Sequence, residues 1–141
     1  MKKIVLGLVL ALLLSSNAYA LNFQPIHSLA KVPGNLLYIH QRCAGVLTFV
    51  APRLTDKNMI NSHTKAASFF VDLAVKKHQK INNYSFSKSL NNVENKVMKL
   101  ISMYGEDSEK IYLQTGQYLG GVIKADLRVC TGIIKGLANR N

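Results

Sequence analysis

The sequence is short of the residue patterns from which active sites are most often built. It has only two cysteines, Cys43 and Cys130, and no Cys-x-x-Cys pair, which excludes a thioredoxin-type redox site. Seven acidic residues stand against eighteen lysines and arginines, and so few carboxylates argue against the paired acids of a glycosidase. There is no Gly-x-Ser-x-Gly, no His-Glu-x-x-His, no haem-attachment motif and no glycine-rich phosphate loop ending in Lys-Ser or Lys-Thr. His40 and Cys43 stand three apart, but His27, His63 and His78 supply no second ligand pair, so neither metal nor cofactor is expected. Low-complexity tracts, fixed-period repeats and the alternation of a half-buried strand are missing as well. What remains is a chain that is 48% apolar, enough for a core.

Long hydrophobic runs are also scarce. Residues 4–14 form one of eleven residues, well short of the ~20 that span a bilayer. Lys2 and Lys3 precede it and Ala18-Tyr19-Ala20 follows it, the three parts of a secretory signal peptide cut after Ala20. Residues 1–20 are therefore expected to be removed, and residues 21–141 to form one helical domain in the periplasm or the medium, with 21–34 as an extended leader. The longest uncharged run beyond that point, residues 111–123, holds Gln114 and Gln117, so no transmembrane segment is expected after processing. Without Lys2 and Lys3 there remain sixteen basic and seven acidic residues, a net charge of +9.

Export to an oxidising compartment makes a Cys43–Cys130 disulfide the expected state of the two cysteines. The rest of the pattern is helical. Leu36, Ile39, Cys43, Val46, Leu47 and Val50 recur at spacings of three and four before Pro52. A second helix, capped by Thr55 or Asp56, carries Met59, Ala66, Phe69, Phe70, Leu73 and Ala74 inward. A third, capped by Ser85, Ser87 or Ser89, presents Leu90, Val93, Val97, Leu100, Ile101 and Tyr104, and Gly105 is placed to end it. A fourth would begin near Glu106, Asp107 and Glu109, where negative charge suits a helix N-terminus. The expected fold is all-α: a small antiparallel four-helix bundle with one long-range disulfide between its first and last helices.

In the fourth helix Leu119, Val122, Ile123, Cys130, Ile133, Ile134 and Leu137 share one face, and Asp126 falls near its centre. A buried carboxylate needs a partner, which marks Asp126 as a candidate buried polar site, held by a tyrosine, serine or lysine or lining a polar cleft. Gly116, Gly120, Gly121, Gly132 and Gly136 suggest close helix packing, or a kink at Gly120-Gly121. Lys76, Lys77, His78 and Lys80 cluster at the end of the second helix, either as a solvated C-terminus or as the contact for an anionic partner. With no catalytic motif, the expected function is binding. The partner would be a protein or an anionic envelope component, with the chain acting as an inhibitor, immunity or accessory factor. The alternative is a basic protein of the membrane surface or of anionic polymers, and a third reading is an enzyme of unknown type. Nucleic acid has the right charge but the wrong compartment.

Overall fold

A computed structural model describes residues 23–28 and 34–139; the expected signal peptide lies outside the described residues. Among the described residues four α-helices run in order, α1 (Leu36–Val50), α2 (Lys57–Asn82), α3 (Phe86–Thr115) and α4 (Gly121–Ala138), with short 3-10 turns at Ile26–Ser28 and Ala51–Arg53. They form an antiparallel bundle in which α1 and α3 are the inner pair. Each of these packs against the other and against both flanking helices, α2 and α4. The disulfide Cys43–Cys130 joins α1 to α4 with a Cα–Cα separation of 5.4 Å.

The inner position of α1 follows from its composition. Its 15 residues, LLYIHQRCAGVLTFV, include no acid and one arginine, so it has no charged face to turn outward. From Ile39 to Leu47 every residue is buried. Gly45 makes the closest approach in the bundle core: a Cβ there would lie 3.1 Å from Leu100 Cβ and 3.8 Å from the Val97 carbonyl oxygen. A bare backbone at this position lets α1 and α3 lie against one another.

The first two turns between helices use local chemistry that the sequence displays. Asp56 caps α2, accepting from the Met59 N–H at 2.8 Å. Ser85 caps α3, accepting from the Lys88 N–H at 3.3 Å. Asn83 closes α2 in the left-handed conformation at φ 53°, which asparagine adopts more readily than most residues.

The boundary between α3 and α4 differs from the expected one. Gly105 lies inside α3, which continues ten residues further and ends at Gly116, φ 71°. Gly105 carries negative φ and sits near Phe49, so the helix has no reason to stop there. Gly116 and Gly120 therefore belong to the connection and Gly121 opens α4, so none of the three lies in a helix interior. Gly120 and Gly121 lie under the Ile111 side chain, where a Cβ would come within 2.8 and 2.5 Å of it. Among the described residues nothing lies within 4 Å of a Cβ position at Gly132 or Gly136, so these two glycines mark no close helix contact. The leader also differs from expectation. Ile26 is fully buried and packs in the core with Phe23 beside it. In α2 the inward stripe is Ala67, Phe70, Ala74 and Val75, whereas Met59 and Phe69 are exposed. In α4, Leu137 is exposed near the helix end and Leu119 precedes the helix.

Candidate functional site

The densest group of ionisable side chains lies in the core, around Asp126. α4 turns this carboxylate inward between Ile123 and Cys130, both fully buried like Asp126 itself. One oxygen, Oδ1, accepts from the Ile26 backbone N–H at 2.7 Å. The other, Oδ2, accepts from Arg42 Nε at 3.0 Å, from Arg42 Nη2 and from the Tyr104 hydroxyl at 2.5 Å. Four elements therefore meet at one carboxylate: the N-terminal turn, α1, α3 and α4.

Arg42 is equally enclosed. Its Nε also donates to the Tyr104 oxygen at 2.9 Å, and its Nη1 reaches the Tyr38 oxygen at 3.5 Å, one helical turn earlier. The Phe23 ring covers the guanidinium, with Cζ 4.2 Å from the ring centre, a favourable cation–π placement. Phe23 in turn meets Tyr104 edge-on at 4.9 Å. Burial by itself works against the charged guanidinium, but Tyr104 and Asp126 outweigh it, and Arg42 is held above its ordinary value. Burial pushes the Tyr104 phenol up, so it remains a donor to Asp126 throughout the physiological range. A buried pair with this many hydrogen bonds avoids the large cost of an uncompensated charge. Because Arg42, Tyr104 and Asp126 have no exposed surface, they hold the fold together and offer no atom to a ligand outside.

Helical periodicity marks neither Arg42 nor Phe23, and it marks Tyr104 only as an apolar-face residue. A signal for Arg42 exists: it is the single lysine, arginine or acid in α1, in a helix without a polar face. Asp126 and Arg42 are 84 residues apart, a distance over which periodicity predicts which way each points but not that they meet.

Two further buried groups have incomplete hydrogen bonding. His40, buried against Phe70 with ring centres 6.0 Å apart, has no partner for Nδ1 among the described residues. Burial lowers its pKa, a hydrogen bond with the Leu73 backbone partly opposes this, and Lys77 lowers it further. A folded-state value below the unfolded one means that the unfolded chain binds the proton more readily, so stability is lost as pH falls from about 6.5 through the folded value. Denaturant midpoints should decline over that range, and His40→Gln should flatten the decline. An unchanged slope in the variant would remove His40 as its source. Asp107, half-buried, acts in a lower window with the opposite sign. Burial raises its pKa, although Lys110 and an N–H of Val122 favour its charged form. It belongs to α3 but lies beside the start of α4, with Oδ2 3.7 Å from the Cβ position of Gly121.

The structure separates the four residues of the basic segment. Lys76 and Lys80 are exposed, whereas Lys77 and His78 are half-buried. His78 Nδ1 lies 3.2 Å from the Ser89 hydroxyl, and the His78 ring is 5.7 Å from that of Tyr84, so this histidine joins α2 to α3. Between Asp72 and Glu94 the chain has four lysines and no acid. On another face an open groove of about 650 Å³ runs beside Thr48, Thr64, Ala67 and Ser68, with Asp72 and Glu94 exposed along it. No group of three or more metal-ligating side chains occurs among the described residues. Comparison of the chain with protein-family models, with curated proteins and with solved structures finds no match.

Proposed function

We propose that this chain is an exported binding protein whose partner is an anionic component of the cell envelope, reached through the end of the bundle formed by α2 and α3. The observation that carries this proposal is the acid-free stretch between Asp72 and Glu94, folded back on itself so that Lys76, Lys80 and Lys88 are exposed around one helix-to-helix turn. Positive charge gathered at one end of a molecule attracts polyanions over several ångströms and raises encounter rates. Other features support the same reading. The buried disulfide suits an oxidising compartment, the N-terminal sequence has the pattern of an export signal, and the tightest ionisable cluster is sealed inside the fold.

The test uses poly-L-glutamate as a soluble anionic probe. Wild-type protein should bind it with an affinity that falls as salt is raised, because the screening length shrinks to about 8 Å at physiological ionic strength. The triple variant Lys76→Glu, Lys80→Glu, Lys88→Glu should bind at least about tenfold more weakly, since each lysine near an anionic surface contributes roughly 1 kcal/mol. Its salt dependence should also be flatter. Equal affinity in the variant would remove this end of the bundle as the binding surface.

A further inference from the structure

Residues 80–88, at the turn between α2 and α3, are all exposed. Three of them are large and apolar: Ile81 at 55%, Tyr84 at 37% and Phe86 at 60%. Nothing in the sequence pattern of either helix requires them there, because the inward stripe of α2 stops at Val75 and that of α3 starts at Ser89. The end also extends beyond α1. α2 has 26 residues and α3 has 30, against 15 in α1, so at 1.5 Å per residue they are about 39, 45 and 22 Å long. His40 pairs with Phe70 and Leu73, which leaves the last turns of α2 past the start of α1. Lysines flank the apolar trio: Lys80 before it, Lys88 after it with Nζ 3.6 Å from the Tyr84 ring centre, and Lys76 one turn back.

Exposed aliphatic and aromatic side chains at a projecting tip, ringed by cations without a single acid, match a particular kind of surface. At a bilayer interface aromatic rings sit at headgroup depth, apolar side chains enter the acyl boundary, and lysines meet lipid phosphates. A polyanion without apolar groups would satisfy the lysines but would leave an exposed Phe86 and Ile81 without an apolar counterpart. We infer that the α2–α3 turn is an interfacial anchor, in which Ile81, Tyr84 and Phe86 insert into an anionic bilayer while Lys76, Lys80 and Lys88 bind its phosphate headgroups. This inference rests on the anionic-partner proposal and specifies the partner as a lipid surface.

The chain contains no tryptophan, so Phe86→Trp supplies a single reporter at an exposed position. With vesicles of phosphatidylcholine containing about one-third phosphatidylglycerol, its emission should shift to the blue and be quenched by brominated acyl chains. Vesicles of phosphatidylcholine alone should leave it unchanged. In co-sedimentation, Ile81→Ser with Phe86→Ser should lower partitioning onto the anionic vesicles by about tenfold or more, the worth of burying one or two such side chains. The same variant should bind poly-L-glutamate as the wild type does, and circular dichroism should show an unchanged helix content. An unshifted reporter, or serine variants that sediment with anionic vesicles as well as wild type, would overturn insertion and leave the anionic-partner proposal standing. Binding to poly-L-glutamate without binding to vesicles would overturn the lipid surface in favour of an acidic protein or polymer. Binding to neither probe would remove both proposals.

Discussion

Asp126→Asn is expected to destabilise the protein by about 3–5 kcal/mol, because it strands the Arg42 guanidinium in the core without its counter-charge. The variant keeps the size of the side chain and an acceptor for the Ile26 N–H, so the loss should report the charge and not a cavity. Arg42→Met should be comparably costly, since it leaves the Asp126 carboxylate buried with only Tyr104 and the Ile26 N–H to satisfy it. The double variant should lose clearly less than the sum of the two single losses, which identifies the pair as the unit being broken. Denaturant unfolding at neutral pH measures all three. If Asp126→Asn stays within about half a kcal/mol of wild type, a surface-like change, the pair contributes nothing to stability and the core must tolerate a lone arginine. The geometry makes that outcome hard to reconcile with full burial of both groups.

The second large effect belongs to the disulfide. Cys43 and Cys130 are 87 residues apart and both fully buried. A loop of that length restricts the unfolded chain by about 4–5 kcal/mol on the chain-entropy description. Replacing both cysteines with serine, or unfolding in the presence of a reductant, should lower the unfolding temperature by more than about 10 °C for a domain of this size. Without a reductant, neither thiol should be alkylated in the native protein. Two alkylated cysteines by mass would contradict the bond. The bridge and the ion pair are close neighbours, since Arg42 precedes Cys43 and Asp126 lies one helical turn before Cys130. Each fixes α4 against α1, so combining the two lesions should cost less than their sum.

Much of the fold is legible in the chain because its cause is local. Spacings of three and four mark α1, and Asp56 and Ser85 mark helix starts through their own side-chain oxygens. The error at Gly105 has an instructive origin. A glycine after an apolar stripe resembles a helix end, but whether the backbone turns left-handed there depends on the packing of the residues after it. Glu106 to Thr115 continue the helix, with Gly105 beside Phe49 and Ile111 over the start of α4, and the left-handed glycine is Gly116. Asp107 shows the same limit. It is not in the first turn of α4, where its charge would suit a helix N-terminus, but in α3, with a carboxylate oxygen 3.7 Å from the Cβ position of Gly121.

A helical bundle, a pairing of the two cysteines and an inward-facing Asp126 could all be read from the chain without coordinates. Each depends on periodicity or on composition, which need no knowledge of distant neighbours. Three things are decided only by how the helices pack: which charge Asp126 meets, that Phe23 and Ile26 close over that pair, and that the α2–α3 turn with Ile81, Tyr84 and Phe86 is left uncovered beyond the start of α1. The difference arises because a side chain's direction is set within one helical turn, whereas its partner is set by how whole helices pack. That packing rests on contacts such as Gly45 against Leu100 and Arg42 against Asp126, made between residues far apart in the chain.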